Sequence, residues 1–536
     1  MHTSFNLVDQ PFITCVLPND ACVDMSLRDA LVRSHSIREI RDECPLATVS
    51  LHRLLLAILH RVFGPESLRQ WRTLWERREK GFEATPIKGY LDKWRDRFDL
   101  LDQDFPFYQT AGMETNSPLP VTSLFDNMAS GNNATLFDHS ADENCDTLPL
   151  ARAAVGLLVR QNFDIGFGKS PNCRIRGKDV VTGYRSDAPL TRGMTILIRG
   201  NTLFETLVLN LTRYQPSADD LPAWESDSPE QSMRYNVPSG RLDLYTWQSR
   251  RLRLVTEALP DGLLVASGVH YAQGRSMAPS VVEPLKPYRK REDQSWSPYP
   301  VAKDRAAWRD SSSLLHLARK KKDERLFEAL NWVARAVDDG AVPVELSKTV
   351  DVFGICTDEG KAASILLWRH ESFPLPLKYL RDDSLVDNLK SALETAEGGA
   401  RALRFAVWSL AENLCKACAS AKPDKQRVAD MVRSVAAETK YWSDMETPFR
   451  TLMLELARAA EDVRAALIAD WIAQVKRIAG NVFHRIVDSL DESPRLLRAV
   501  FADSPERRGA NCTLYYHLAS LGNGPQADTD STTTAT

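Results

Sequence analysis

From about Asp382 onward the sequence is rich in alanine and leucine and carries almost no strand signal. Apolar residues recur at helical spacing from "SLVDNLKSALETAEGGARALRFAVWSLAENLCKACA" to "LLRAVFA". We expect Gly398-Gly399, Pro423 and Pro448 to break this run into four or five helices. Because amphipathic helices must bury their apolar faces against one another, the pattern predicts a helical bundle as a separate domain.

The sequence before this point mixes strand and helix patterns. "TILIRG" and "GLLVASGVHYA" have the composition of strands, "TLFETLVLNLT" has helical spacing, and Phe5–Leu17 predicts an opening strand pair. Since 536 residues exceed the size at which one core stops growing, we expect more than one domain. The sequence therefore predicts an α+β protein with a mixed domain over 1–380, a bundle over 381–523 and a disordered polar tail over 524–536.

Composition limits the function classes. The net charge of −3 means that nucleic-acid binding would require a local basic patch. Nine scattered cysteines, an odd number, argue against a disulfide framework and predict a reducing cytoplasm. The start "MHTSFNLVDQPF" lacks the features of a signal peptide, and no window approaches the roughly 18 uninterrupted apolar residues of a membrane span.

One stretch, "DIGFGKSPN" (Asp164–Asn172), contains the letters that end a nucleotide-binding P-loop. The P-loop pattern requires a glycine where Phe163 stands, and phenylalanine does not supply the positive-φ turn that glycine allows. A P-loop also opens directly into a helix, whereas Pro171 follows here. The preceding residues, Pro149–Phe163, have helical spacing. The pattern disfavours a nucleotide site, although a nucleotide-dependent enzyme using the GKS loop remains an alternative.

Other residue pairs that could carry chemistry lack the partners they need. Cys415 and Cys418 form a C-x-x-C without a second ligand pair nearby, which favours small buried side chains over zinc. His52 and His60 lie two turns apart on one helix without a third ligand, which favours core packing. No catalytic signature is found, so we predict no enzymatic activity, no metal and no cofactor.

A basic run, "LKPYRKRED", falls in a proline-rich connector. A lone run of charges is by default a solvated turn. The interleaved Pro287 and Tyr288 also permit a finger that contacts phosphate. The four cations concerned are Lys286, Arg289, Lys290 and Arg291.

Several segments, taken in order, carry a resemblance to a known family. They are "FNLVDQPFI", "FPFYQ", "SGNNATLFDH", "GYRSDAPLTRGMTILIRGNTLFETLVLNL" and "LDLYTWQSRRLRL". Together they resemble the CasA family, the large subunits of the type I-E CRISPR surveillance complex, Cascade. The resemblance covers essentially the whole chain except the polar tail, and it implies a mixed N-terminal domain followed by a four-helix bundle.

The resemblance also implies a function. A member of this family is a non-catalytic subunit that recognises the protospacer-adjacent motif in double-stranded DNA from the minor groove. It helps to nucleate strand separation and R-loop formation with the guide RNA, and it recruits the Cas helicase–nuclease. The implied partners are the guide RNA, the other Cascade subunits, duplex target DNA and that nuclease, with no membrane. A scaffold subunit without direct DNA readout is a further alternative.

Each functional loop of the family can be placed on this sequence. The glycine-rich minor-groove loop corresponds to Gly166, Phe167, Gly168 and Lys169, and the lysine finger to the basic run, with Lys290 or Arg289 as the expected tip. The contact with the guide-RNA handle corresponds to Phe137, Asp138 and His139, and the wedge between base pairs to Glu359, Gly360, Lys361 and Ala362. Minor-groove proteins use small residues, cations and wedges in this way.

The sequence departs from the family pattern at three points. Some relatives carry a glutamine at the wedge tip, where this chain has Lys361 and Ala362. The glycine loop has only two glycines around Phe167. Some relatives bind zinc through a mid-region cysteine cluster, whereas this chain has no cysteine between Cys173 and Cys356, which predicts no such metal.

Overall fold

A computed structural model describes residues 4–125, 147–226, 235–292, 295–319, 328–357, 365–416, 422–490, 492–504 and 507–521. The chain forms two compact units. One comprises Met1–Trp308 with His316–Leu377, and the other Arg309–Leu315 with Lys378–Thr536. The sequence predicted a boundary at 380/381 and did not predict that 309–315 belongs with the C-terminal unit. The predicted tail, 524–536, lies outside the described residues.

The first unit combines helices with short sheets, so the predicted α+β class is confirmed. Its helices are α1 (Leu27–Val32), α2 (Pro45–Phe63), α3 (Leu68–Glu76), α4 (Ala84–Lys93), α5 (Leu150–Phe163), α6 (Leu203–Asn210), α7 (Arg241–Tyr245) and α9 (Glu328–Asp338). Residues of α8 (Ser311–Arg319) fall in both units.

Helix α2 is the central helix of this unit. It begins at Pro45 and ends at Phe63, with Gly64 as its C-cap. Every side chain from Leu46 to His60 is buried because apolar residues occur on all faces of the helix. By length and composition alone α2 could cross a membrane, but most of it is buried inside the fold.

The two histidines of α2 are core residues. The ring of His52 bonds the carbonyl of Thr48 at 2.7 Å. His60 packs between the rings of Tyr214 and Tyr245, with centroids 5.5 and 5.8 Å away. Burial lowers the pKa of both imidazoles, which keeps them neutral. The structural interpretation made from the sequence is confirmed.

The strands of the first unit form several small antiparallel sheets and one short parallel pair. Two long hairpins dominate: β11 with β12, and β16 with β17, the latter flanked by β9 in the order β17-β16-β9. The strands are β1 (Ile13–Val16), β2 (Cys22–Met25), β3 (Glu39–Ile40), β4 (Met113–Glu114), β5 (Leu119–Pro120), β6 (Leu148–Pro149), β7 (Cys173–Ile175), β8 (Lys178–Val180), β9 (Thr195–Arg199), β10 (Tyr235–Asn236), β11 (Arg250–Ala258), β12 (Leu264–Gln273), β13 (Ser276–Met277), β14 (Tyr288–Lys290), β15 (Trp296–Pro298), β16 (Ser347–Thr357) and β17 (Ile365–Pro376).

The second unit is helical apart from one two-residue strand pair, β18 (Asp503–Ser504) with β19 (Arg507–Arg508), in the part of it that the structure describes. Its helices are α10 (Asp383–Cys415), α11 (Lys425–Val435), α12 (Ala437–Arg458), α13 (Glu461–Asp488), α14 (Pro494–Phe501) and α15 (Ala510–Ala519). The predicted C-terminal helical region is confirmed.

Two of the three predicted helix breaks are wrong. Helix α10 continues through Gly398-Gly399, and α12 continues through Pro448. A Cβ atom at Gly399 would lie 2.5 Å from the Tyr441 hydroxyl and 2.7 Å from Val475 Cγ1. Glycine is therefore present because the neighbouring helices approach closely, and not because the helix ends.

Candidate nucleic-acid interface

The predicted glycine loop belongs to one arm of an antiparallel hairpin, Gly166–Asp187, which we call the glycine ribbon. Lys169 lies opposite Tyr184, and the same register continues through β7 and β8. The ribbon turns at Arg176 and Gly177, whose φ angles of 47° and 77° are typical of a type I′ turn. The loop thus leads into a small three-stranded sheet in the order β4-β7-β8.

This placement excludes P-loop geometry. A P-loop connects a strand to the helix that follows it. Here the helix α5 comes before the glycines and the strand β7 comes after Ser170. The GKS letters therefore do not form a phosphate cradle, and the structural premise of the nucleotide-dependent alternative is wrong.

The two glycines of the predicted loop, Gly166 and Gly168, serve different purposes. A Cβ atom at Gly166 would lie 2.4 Å from the carbonyl carbon of Ser186 and 2.5 Å from the nitrogen of Asp187, so only glycine lets the two arms approach. Gly168 has φ +70°, and its nearest neighbour, Arg185 Nη2, is 3.7 Å from the Cβ position. Gly166 is required for internal packing, whereas Gly168 provides a left-handed backbone at a position where a side chain would not clash.

The ribbon presents apolar and cationic side chains to solvent near Gly168. Phe167 is 55% exposed, and Tyr184 on the opposite arm is 78% exposed. Lys169 is also exposed. Since large apolar side chains are usually buried, this combination is typical of a surface that binds a partner.

A buried polar network anchors both arms at their base. Arg250 forms an ion pair with Asp164 at 2.9 Å and donates to the Ser186 carbonyl at 2.8 Å. The Tyr271 hydroxyl donates to the same carboxylate, and Gln273 Oε1 accepts from the Ser186 nitrogen at 2.9 Å. The Arg250 guanidinium thus connects Asp164, two residues before the first arm, with Ser186 of the return arm, which fixes the position of the ribbon.

The charge state of this network follows from its contacts. Burial acts to raise the pKa of Asp164, but attraction by Arg250 and then Arg160 outweighs it, so this pKa lies below its ordinary value of 3.8. The carboxylate is therefore ionised at neutral pH. Its stabilising effect is complete above pH 3.8 and is lost as the pH falls through the lower value of the folded state.

The basic run does not form one patch. Lys286 is only 5% exposed, and its Nζ donates to the Arg192 carbonyl at 2.5 Å. Arg289 and Lys290 are exposed, but they lie in strand β14, paired with Ser297 and Trp296 of β15. The structure places both residues on a strand of this hairpin, and not at its tip as expected. Residues 293–294, between the strands, lie outside the described residues.

The environment of Lys286 leads to a pH prediction. Burial, partly offset by Glu283 and reinforced by Arg53, lowers the pKa of Lys286 from 10.5 to about 8. Between these values the unfolded chain binds more protons than the folded one, so this lysine makes stability rise with pH. We expect the free energy of unfolding of the wild type, minus that of Lys286→Met, to increase from pH 8 to 10 in denaturant titrations. A flat difference would contradict the assignment.

The side chain of Arg192 connects the ribbon with the long β16–β17 hairpin. Its Nε donates to Asp187 at 2.9 Å and its Nη1 to Thr357 Oγ1, the last residue of β16, at 3.0 Å. The wedge residues Glu359, Gly360, Lys361 and Ala362 follow that strand and lie outside the described residues, as do Phe137, Asp138 and His139. The structure thus brings the ribbon, the base of the basic hairpin at Lys286 and the end of β16 together around Arg192.

Sequence reasoning missed the residues that position this region, namely Asp164, Arg192 and Arg250. The sequence offered one signal for Arg250, which lies in the strand pattern "RRLRLV". A charged side chain in such a strand must be either exposed to solvent or paired with an opposite charge. In the part of the chain that the structure describes, no three histidine, cysteine or acidic side chains lie together so that they could hold a metal ion. Cys415 is a free, half-buried thiol, and Cys418 lies outside the described residues.

Comparisons with known proteins identify the class. A family model for the CRISPR-associated protein Cse1 matches residues 6–482. A CRISPR-associated protein CasA/Cse1 of Thermus thermophilus is 32% identical over 492 residues, covering 88% of this chain and 92% of that protein.

Solved structures match along almost the whole chain. The crystal structure of CasA from Thermus thermophilus has a TM-score of 0.75 at 26% identity, covering 97% of this chain and 99% of that one. Thermobifida fusca Cse1 has a TM-score of 0.77 at 25% identity, covering 97% of each chain. A chain from a structure of a CRISPR RNA-guided surveillance complex shares the fold, with a TM-score of 0.69 at 21% identity and coverage of 97% and 99%.

The fold is therefore that of a CRISPR-associated protein. More narrowly, the chain belongs to the Cse1 family, which is also called CasA. The resemblance stated from the sequence is confirmed.

Proposed function

We propose that this chain is a non-catalytic subunit of a CRISPR RNA-guided surveillance complex of the Cascade type and acts in the cytoplasm. In this role it recognises a short motif beside the target in duplex DNA from the minor groove. It then helps to begin strand separation and recruits the Cas helicase–nuclease. Membership of the Cse1 family and the fold shared with a chain of such a complex support the assembly.

The observation that carries the DNA-reading part is the glycine ribbon. It combines an anchored base, an open left-handed glycine and the exposed cation Lys169. Small residues allow a backbone to approach the floor of a minor groove, and cations are attracted by its negative potential. Because the minor-groove code is degenerate, this mode of reading would tolerate several motif sequences. Arg289 and Lys290 supply further exposed cations for the phosphates.

The test uses the complex reconstituted with its other subunits and a guide RNA. We expect Gly168→Asp combined with Lys290→Ala to weaken binding of motif-bearing duplex by about 10- to 100-fold, since a groove contact contributes about 1–3 kcal/mol. Binding of a single-stranded target should be unchanged, because pairing with the guide needs no duplex recognition. Electrophoretic mobility shift titrations measure both.

A matched control carries Gly262→Asp with Lys390→Ala. Gly262 also has a positive φ, +83°, with no neighbour within 4 Å of its Cβ position, and Lys390 is an exposed lysine of the second unit. This control should bind both substrates normally. Equal loss in the two double variants would contradict the proposal, and ATP hydrolysis that disappears in Lys169→Ala would overturn its non-catalytic part.

A further inference from the structure

Tyr184 is the most exposed large apolar side chain in the described part of the chain, at 78%. It lies on the return arm of the glycine ribbon, outside the four functional loops that the family resemblance places on this sequence. Aromatic rings are usually stabilised by burial. An exposed ring on a firmly held backbone therefore indicates a surface that contacts a partner.

The backbone around Tyr184 is held on both sides. The Ser170 nitrogen donates to the Gly183 carbonyl at 3.0 Å, and the Arg185 nitrogen donates to the Gly168 carbonyl at 3.0 Å. The Arg185 side chain adds a bond from its Nε to the Phe167 carbonyl at 2.6 Å. The exposed ring therefore extends from an ordered ladder, and little backbone entropy would be lost on binding.

The position of Tyr184 also defines its chemical surroundings. It lies directly opposite Lys169 in an antiparallel pair, so the two side chains are on the same face of the ribbon. An aromatic ring beside a cation suits a polyanion whose surface alternates sugar and base faces with phosphates.

We propose that Tyr184 is a second DNA-contacting residue of the ribbon and that its ring packs in the duplex next to the site of Lys169. The inference rests on the proposed function and adds the return arm to the reading surface. The ring makes the main contact, by packing against sugars or at a base step, and Lys169 neutralises an adjacent phosphate. Both arms of the ribbon then contact the DNA, and the absence of a side chain at Gly168 determines how closely the backbone approaches the minor groove.

The experiment compares Tyr184→Ala, Tyr184→Phe and Tyr516→Ala in the reconstituted complex, with Gly168→Asp measured in parallel. Tyr516 is a matched control, since it is 62% exposed and belongs to the second unit. The probes are a motif-bearing duplex and a single-stranded target. Co-purification with guide RNA reports assembly.

We expect Tyr184→Ala to weaken duplex binding at least about 5-fold, which is the lower end of measured losses of aromatic contacts to nucleic acid. Tyr184→Phe should stay within about 3-fold of the wild type because it keeps the ring. Tyr516→Ala should bind normally, and the single strand should bind all variants equally.

The other outcomes separate this inference from the function on which it rests. If Gly168→Asp weakens duplex binding and Tyr184→Ala does not, the inference is overturned and the proposed function stands. If neither variant weakens duplex binding, both this inference and the proposed function are contradicted. If Tyr184→Ala impairs co-purification with guide RNA or subunits, Tyr184 belongs to an assembly surface, and the DNA assignment is overturned.

Discussion

Replacing Arg250 with methionine is expected to lower the free energy of unfolding of the first unit by about 3–5 kcal/mol, since removal of one member of a buried pair leaves the other charge uncompensated. Arg250 has no exposed side-chain surface, and Asp164 retains only 7%. The loss includes the bonds from Arg250 to the Ser186 carbonyl and to the Ser249 carbonyl, at 2.8 and 2.9 Å. Denaturant unfolding followed by circular dichroism at neutral pH measures it.

Two controls distinguish the charge effect from loss of packing. Arg95→Met breaks an exposed pair with Asp9, whose side chains are 45% and 41% exposed, and should cost no more than about 1 kcal/mol. The double variant Arg250→Met, Asp164→Leu removes both buried charges and should recover part of the loss. If Arg250→Met costs no more than Arg95→Met, the network does not anchor the ribbon.

Gly166→Ala is expected to destabilise the ribbon by up to about 3 kcal/mol, because its methyl group would overlap the return arm. The arms would have to separate at Ser186 and Asp187, where the Cβ position lies 2.4–2.5 Å from backbone atoms. Faster hydrogen exchange of the Ser170 and Arg185 amides, which join the arms, measures this local opening. Duplex binding should weaken in parallel.

Two further glycine substitutions provide a comparison for the stability cost of Gly166→Ala. Gly168→Ala meets only the Arg185 guanidinium, at an ordinary contact distance of 3.7 Å, and should cost about 1–2 kcal/mol for its left-handed backbone. Gly89→Ala in α4 has no neighbour within 4 Å and should stabilise by about 0.5–1 kcal/mol. If amide exchange in the ribbon responds equally to Gly166→Ala and Gly89→Ala, then close approach is not what requires Gly166.

The parts of the fold that depend on local periodicity could be predicted from the sequence. "TLFETLVLNLT" is α6, "TILIRG" contains β9, and the C-terminal unit is helical. The opening segment was only partly predicted: β1 (Ile13–Val16) lies within Phe5–Leu17, but its partner β2 (Cys22–Met25) comes later. The failed break at Gly398-Gly399 has a tertiary cause, since close contact between helices at Gly399 requires a glycine whose local propensity alone would favour a helix end.

The location of the candidate site could be predicted from the sequence, but the residues that hold it in position could not. The glycines and Lys169 could be chosen through the resemblance to the CasA family, whose minor-groove loop they match, and small residues and cations suit that use. The residues that contact Asp164 and Gly166 could not be predicted from the sequence. Arg250 contacts Asp164, and Ser186 contacts Gly166, only after β11 and the return arm have folded into place. Burial of Lys286 was equally invisible, because a cation in a charged run is ordinarily solvated.

The constant register of the ribbon limits how this region can vary in length. Inserting or deleting one residue in either arm would turn every following side chain to the opposite face, and Lys169 would no longer share a face with Tyr184. The turn at Arg176 and Gly177 cannot readily absorb an extra or missing residue, because the Arg176 nitrogen donates to the Gly112 carbonyl at 2.9 Å and β4 pairs with β7 there. We therefore expect length changes among related chains to occur in matched pairs across the two arms, a pattern that an alignment of this segment would reveal.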